Sequence, residues 1–193
     1  IDFQDELNRY IRKLFPINRS ITGDGTRETL EILSEIVPIN IIEYNTGEKV
    51  YDWEIPMEWN VREAWIKDSK GNKVIDFSIN NLHLLGYSVK THSKLKFDKL
   101  KENLYYIKDI PDAIPHRTSY YNENWGFCVS YNQFKELFRD EEEYEVYIDS
   151  SLEKGSLSIG EYLIKGKSKI FIISFGFMPK LNIKKIIVNA IRL

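Results

Sequence analysis

The sequence is short of the residues that disulfide frameworks and most metal sites require. It has one cysteine and three histidines in 193 residues. A single Cys128 excludes an intramolecular disulfide and a cysteine-based zinc knuckle, and it suits a reducing compartment. No apolar run is long enough to cross a membrane, and no signal peptide is recognisable. We therefore expect a cytoplasmic protein with no membrane partner.

The chain also has almost no net charge. The formal net charge is −2, so no overall basic field favours nucleic acid, and we expect no nucleic-acid partner. The distribution is uneven, because no acidic residue follows Glu161 while seven lysines and arginines do. The simplest interpretation of those cations is a solvated rim. With 42% hydrophobic and 29% charged residues, the composition is that of a globular protein of one ordinary or two small domains.

The N-terminal spacing predicts two helices and a strand. Apolar residues at helical intervals predict a helix over residues 2–15 that ends at Pro16, and a second helix that stops before Pro38. Either Asp24 or Thr26 could cap the second helix. Residues 39–44 then read as a strand, closed by a turn at residues 45–47.

The middle of the chain is richer in strand-forming residues. Residues 61–67 and 73–77 flank a polar turn, which predicts a hairpin. Residues 97–104 suggest one short helix, and two prolines in residues 107–115 argue against a regular element there. Residues 130–138 predict a helix with Ser130 as N-cap. We interpret residues 48–140 as a β-rich module inserted into the chain.

The C-terminal part returns to long strands. Residues 144–148 and 156–165 predict two strands paired as a hairpin around a turn at residues 149–155. Four apolar residues, 170–173, suit a strand buried on both faces of an α/β sheet. A loop over residues 174–182 and a helix over residues 183–193 should follow. Ligand sites of open α/β sheets lie in such loops, yet this loop contains no His, Asp, Glu or Cys.

The individual residues give little indication of a catalytic or metal-binding site. The three histidines lack metal-ligand spacing: His83 should be hydrogen-bonded and half-buried, and His92 solvated in a lysine-rich loop, whereas His116 is the best candidate for a pocket. Cys128 should be a core residue. Residues 22–25 (TGDG) resemble a phosphate loop but lack its Lys-Ser/Thr ending, so they predict only the start of a helix.

An aromatic stretch near His116 is the best candidate for binding. Tyr120, Tyr121 and Trp125 either belong to the core or line a groove in which their rings present stacking surfaces. Both alternatives remain open from the residues alone. With His116, they form the candidate site for a small peptide or sugar.

Several stretches resemble one bacterial family. They are residues 14–25 (LFPINRSITGDG), 56–61 (PMEWNV), 64–68 (AWIKD), 81–88 (NLHLLGYS), 118–128 (TSYYNENWGFC), 147–152 (YIDSSL) and 160–164 (GEYLI). In this order they resemble the aminopeptidase-like proteins with a DUF4910 core and an inserted DUF2172 module. The core of that family is similar to M28-type zinc aminopeptidases.

The resemblance implies a fold, a domain order and a lost site. The implied fold is α/β or α+β, with residues 1–47 and 141–193 in a partial core sheet and residues 48–140 as the DUF2172-like insert. Intact family members hold zinc, and their first ligands follow the third core strand. Here the residues after Ser174 (FGFMPKLN) supply neither the His nor the Asp, so we predict no metal ligand, no catalytic residue and no bound cofactor.

Two functions are compatible with this pattern. The first is a truncated or degenerate member of the zinc aminopeptidase-like family without peptidase activity. The alternative is a non-catalytic sugar- or peptide-binding module linked to surface-polysaccharide biosynthesis. An unfinished sheet edge would also allow the chain to form a homo-oligomer.

Overall fold

The computed structural model describes residues 3–120, 122–165 and 170–175 and shows a mixed α+β fold. The helices are α1 (Phe3–Leu14), α2 (Asp24–Ser34), α3 (Phe97–Leu100) and α4 (Tyr131–Leu137), with 3-10 turns at Asn81–His83 and Lys101–Asn103. The strands are β1 (Asn40–Asn45), β2 (Lys49–Val50), β3 (Trp53–Glu54), β4 (Glu58–Lys67), β5 (Lys73–Asp76), β6 (Thr91–Lys96), β7 (Leu104–Tyr105), β8 (Phe127–Cys128), β9 (Glu143–Glu153), β10 (Ser156–Lys165) and β11 (Ile170–Phe175).

An antiparallel sheet of order β5-β4-β9-β6 holds the main core. Every second residue of β9, from Tyr144 to Ile148, is fully buried, as the two-residue period of a strand requires. Ala64 and Ile66 of β4 point into the same core, where Phe127 is also fully buried. The predicted hairpin of β4 and β5 is confirmed, with Ile66 opposite Ile75.

The predicted hairpin between the two long C-terminal strands is wrong. β9 continues to Glu153 and pairs with β4 and β6, whereas β10 pairs with β1 and β11. Alternating residues identify a strand but do not choose its partner. The apolar face of β9 is buried only when it lies beside β4, so the link at Lys154 and Gly155 passes from one sheet to the other.

A smaller antiparallel sheet of order β1-β10-β11 carries α2 on one face. Leu30 of α2 is 1% exposed and lies so close to Gly160 that a Cβ there would be 2.6 Å from the leucine Cδ2 atom. Residues 170–173 are in a strand as predicted, but β11 is last in the order of the described strands and antiparallel to β10. The predicted helix over residues 183–193, and the loop from residue 176 on, lie outside the described residues.

The remaining helix predictions have mixed outcomes. The first two predicted helices are confirmed as α1 and α2. The predicted cap of α4 is also confirmed, because the Ser130 hydroxyl accepts from Gln133 N and the Gln133 side chain accepts from Ser130 N. Residues 97–104 divide into α3 and a 3-10 turn rather than one helix. Among the described residues, none of the helices has the length and apolarity to cross a bilayer. The domain boundaries at residues 47/48 and 140/141 stay predictions.

Candidate functional site

A cleft of about 880 Å³ lies between the N-terminal segment and the main sheet. We call it the N-terminal cleft. One wall comes from residues 13–28, which include the end of α1 and the start of α2. The other wall comes from residues 59–62 of β4, residues 77–81 and Ser151 of β9. The cleft therefore joins two parts of the chain that are remote in sequence.

Hydrogen bonds at the floor of the cleft hold the two walls together. The Thr22 hydroxyl lies 2.7 Å from the Tyr87 hydroxyl and accepts from Trp59 N at 3.2 Å. All three residues are nearly inaccessible, with Thr22 1% and Trp59 3% exposed. The Trp59 ring stacks on Tyr87 at 5.6 Å, and its Nε1 donates to Ser88 O. These contacts fix the floor of the cleft, and ligand sites are usually largely formed before binding.

The start of α2 is fitted to β4 through glycine. Gly23 has φ 99° and ψ 172°, a conformation that is essentially restricted to glycine. A Cβ at this position would lie 2.4 Å from Trp59 O and 2.8 Å from Asn60 Oδ1. The TGDG sequence thus provides close backbone approach, and the prediction that it only begins a helix is confirmed.

The predicted caps of α2 are wrong. Gly23 is the N-cap and contributes no side-chain bond. Asn60 of β4 instead accepts from Asp24 N at 2.8 Å, and the Thr26 hydroxyl donates to Ser20 O. A side chain remote in sequence therefore caps the helix, which no local pattern could indicate.

An ion-pair network beside the cleft connects α2 to both sheets. The Arg27 guanidinium donates to both carboxylate oxygens of Glu58 and to Asp24. Glu58 also accepts from Ser156 N at 2.9 Å. The bonds from Arg27 and then Ser156 lower the pKa of Glu58. The bonds to Glu58 and then Asp24 raise the pKa of Arg27. The Glu58 side chain is only 12% exposed, so the network is part of the packing between α2, β4 and β10.

The cleft lining carries two cations and two carboxylates. Lys13 and Arg62 are opposed by Asp24 and Glu28. Both cations have partners outside the lining, since Lys13 Nζ lies 2.7 Å from Glu35 and Arg62 makes two 2.7 Å bonds to Asp149. Arg62 lies at an irregularity in the β4–β9 register, and such bulges re-aim side chains beside binding sites.

The predicted binding residues lie away from this lining. His116 is exposed, and Tyr120 and Trp125 are half-buried against the main core. Tyr121 lies outside the described residues. Tyr120 does meet the floor of the cleft indirectly, because its ring contacts Tyr87 edge-on at 5.4 Å. Tyr120 and Trp125 both pack against the main core, and their binding role stays a prediction.

The other reactive side chains are occupied by structure. His83 is 5% exposed, and its Nδ1 lies 2.8 Å from Cys128 O. Burial lowers the pKa of His83 and raises the pKa of Cys128 to about 11. The predicted hydrogen bond of His83 and the predicted core position of Cys128 are confirmed, but His83 is buried rather than half-buried. His92 is exposed as predicted, but it lies on β6 rather than in a loop and contacts Glu145 at 2.8 Å. Within the described ranges, no group of three or more His, Cys, Asp or Glu side chains could hold a metal ion.

Residue-by-residue reasoning missed the cleft, although a signal was present. Two of the stretches that carry the family resemblance, residues 14–25 and 56–61, lie on its opposite walls. Neither stretch contains a catalytic motif, so each by itself indicates only a loop and a strand. Their proximity depends on the tertiary fold.

One known protein family matches the middle of the chain. Residues 58–151 match the family model of DUF2172, a domain of unknown function. That match covers the main sheet from β4 into β9 and one wall of the cleft. The stretch from Glu58 to Ser151 is thus similar to the DUF2172 domain.

A longer relative and a solved structure extend the comparison. The chain is 51% identical over 178 residues to a Clostridium acetobutylicum protein named "Putative polysaccharide biosynthesis protein with aminopeptidase-like domain". The match covers 91% of this chain and 41% of that protein. A crystal structure of a "putative peptidase" from the same organism superposes with a TM-score of 0.79 at 51% identity, over 84% of this chain and 38% of the other. This chain thus spans about two fifths of the length of these relatives.

Proposed function

We propose that this chain is a ligand-binding, non-catalytic part of an aminopeptidase-like protein, and that residues 1–193 alone do not hydrolyse peptides. The observation that carries the binding role is the N-terminal cleft, whose floor of Thr22, Trp59 and Tyr87 is fixed by hydrogen bonds and ring stacking. The names of the Clostridium relatives support the peptidase-like context and a link to polysaccharide biosynthesis. A sugar or a small peptide is the proposed ligand.

The side chains that are present do not fit a pair of zinc ions. A two-zinc hydrolytic site needs several imidazoles and carboxylates around one cavity. His83 and His92 contact Cys128 O and Glu145, and the described residues hold no cluster of three or more ligating side chains. The sequence beyond Glu161 adds lysines and arginine but no His, Asp, Glu or Cys. By resemblance, the first family ligands would follow Ser174, where this sequence reads FGFMPKLN.

Zinc content and hydrolysis together test the absence of peptidase activity. The purified 193-residue chain, after dialysis against zinc, should hold no stoichiometric amount of the metal. The zinc content is measured by inductively coupled plasma mass spectrometry. It should also release no product from a panel of aminoacyl-p-nitroanilides, with a commercial zinc aminopeptidase as the assay control. Bound zinc at one or two equivalents together with turnover would contradict the proposal.

The aromatic surface around Trp125 is a second candidate for the binding role. Tyr120 and Trp125 are only half-buried, and Tyr120 is coupled through Tyr87 to the cleft floor. If this surface binds, peptide or glycan titration should quench tryptophan fluorescence in the natural chain and much less in Trp125→Phe. Equal quenching in both proteins would exclude Trp125 as the reporter and favour the N-terminal cleft.

A further inference from the structure

We propose that the N-terminal cleft binds a neutral saccharide; this inference rests on the proposed binding function and assigns its ligand class and position. The cleft is already formed, because contacts between Thr22, Tyr87 and Trp59 hold its two walls together. A third connection runs from the Asn81 side chain to Pro16 O at 3.1 Å. A site that is formed before binding avoids the cost of ordering its loops when the ligand arrives.

The polar lining favours an uncharged ligand with many hydroxyl groups. Four asparagines and three serines line the cleft: Asn18, Asn60, Asn80, Asn81, Ser20, Ser78 and Ser151. Each amide has a donor and an acceptor, which can be matched by neighbouring hydroxyls of a sugar ring. Both cations of the lining are already paired, Lys13 with Glu35 and Arg62 with Asp149. A phosphorylated ligand or nucleic acid would find no unpaired cation there.

Two side chains in the lining are unusually exposed for apolar residues. Phe15 is 73% exposed and Ile79 is 84% exposed. Both would lose water contact if the C–H face of a sugar ring covered them, which gives a hydrophobic contribution to binding. Apolar contacts beside a few oriented polar groups are the usual composition of a ligand site.

Part of the polar lining is not used by the fold. Within the described residues, the side chains of Asn18 and Glu28 make no hydrogen bond or ion pair, although both line the cleft. Asn60 and Asn81, in contrast, are engaged with the backbone of Asp24 and Pro16. We therefore assign contact with the ligand to Asn18 and Glu28, and wall positioning to the other two. A peptide that bound by adding a strand beside β4 would require free backbone groups, whereas Trp59 N is already bound to Thr22.

Chemical-shift mapping tests both the place and the ligand class. The complete 193-residue chain, labelled with ¹⁵N, is titrated with maltotetraose, cellotetraose and chitotetraose. Tetra-alanine and an oligogalacturonate serve as the peptide and charged probes. Concentrations reach about 10 mM, which detects a Kd near 1 mM. We expect at least one neutral saccharide to shift the amide resonances of Asn18, Trp59 and Ser151 more than those of residues 116–125.

Matched variants then distinguish binding in the cleft from non-specific binding to exposed apolar side chains. Ile79→Ser should weaken saccharide binding about tenfold through loss of apolar cover. Ile110→Ser removes another exposed isoleucine, 57% accessible and outside the cleft, and should change the affinity by less than about twofold. Asn18→Asp keeps the size of the side chain and should also weaken binding, because the donor is replaced by a charge. The dispersed amide spectrum of each variant reports that it is folded.

Four results would overturn the inference. They are no shift with any neutral saccharide at the highest concentration, shifts confined to residues 116–125, cleft shifts with only the peptide or the charged probe, and equal effects of Ile79→Ser and Ile110→Ser. Shifts at residues 116–125 would leave the proposed binding function intact with another site. Zinc-dependent turnover, in contrast, would refute the proposed function independently of where a sugar binds.

Discussion

Gly23 is the position at which a single methyl group should test the joint between α2 and β4. In Gly23→Ala, the backbone at φ 99° and ψ 172° costs about 1–3 kcal/mol for any residue with a Cβ. The new atom would also lie 2.4 Å from Trp59 O, a main-chain atom of a paired strand that cannot easily move. Overpacking of that kind adds about 1–3 kcal/mol. We therefore expect a loss of about 4 kcal/mol in the free energy of unfolding.

Gly71→Ala is the matched control for this substitution. Gly71 also has a positive φ, of 86°, but a Cβ there would have no neighbour within 4 Å. Its cost should be limited to the backbone conformation, about 1–2 kcal/mol. Urea unfolding followed by tryptophan fluorescence measures both variants against the natural chain. If Gly23→Ala loses no more stability than Gly71→Ala, the close approach to Trp59 is not a real constraint and the described floor of the cleft is wrong.

Three further predictions test the contacts around the cleft and the core. Because the folded pKa of Glu58 is lowered, its ionised form stabilises the fold above the ordinary glutamate pKa, and this contribution is lost as the pH falls below about 4.3. Glu58→Gln should therefore be less stable than the natural chain at pH 7 but lose less stability on acidification in urea titrations; parallel pH profiles would contradict the pairing with Arg27. Thr22→Val and Tyr87→Phe should each lower the free energy of unfolding by about 1–3 kcal/mol. The double variant should lose less than the total of the two, because both substitutions remove the same 2.7 Å contact. Strictly additive losses in chemical denaturation would contradict this contact. Cys128, fully buried with a pKa raised to about 11, should react with Ellman's reagent at pH 8 only in denaturant, and rapid labelling of the native protein would show that its strand pair opens.

The cleft gives a structural meaning to a resemblance that was first visible only as scattered motifs. Residues 14–25 contribute Thr22 and Gly25 to one wall, and residues 56–61 contribute Trp59 to the other. The DUF2172 match begins at residue 58, so the cleft lies at the join between the matched region and the N-terminal segment. Ligand sites are common at such joins. Any ligand bound there would contact both parts at once.

Local sequence determined the elements whose stability depends on near neighbours. Ser130 and Gln133 are three residues apart, and their reciprocal bonds give α4 its predicted start. The polar turn before Lys73 sets the β4–β5 hairpin, where Asp68 accepts from Lys70 N and Asn72 N. Cys128 sits between apolar residues and is buried as predicted. Each of these features is decided within a few residues, so pattern and spacing are sufficient.

Tertiary structure alone decided which strands and walls meet. The alternation of β9 predicts a strand equally well beside β10 or beside β4, and only the shared core of Ala64, Ile66 and Val146 selects β4. The cap of α2 comes from Asn60, whose Oδ1 accepts from Asp24 N 36 residues earlier, and therefore leaves no local pattern. The N-terminal cleft has the same origin, because its two walls are separated in sequence and are joined by hydrogen bonds between Thr22 and the Trp59–Tyr87 pair. Contacts of this kind depend on the burial of the whole chain, which no short window of sequence contains.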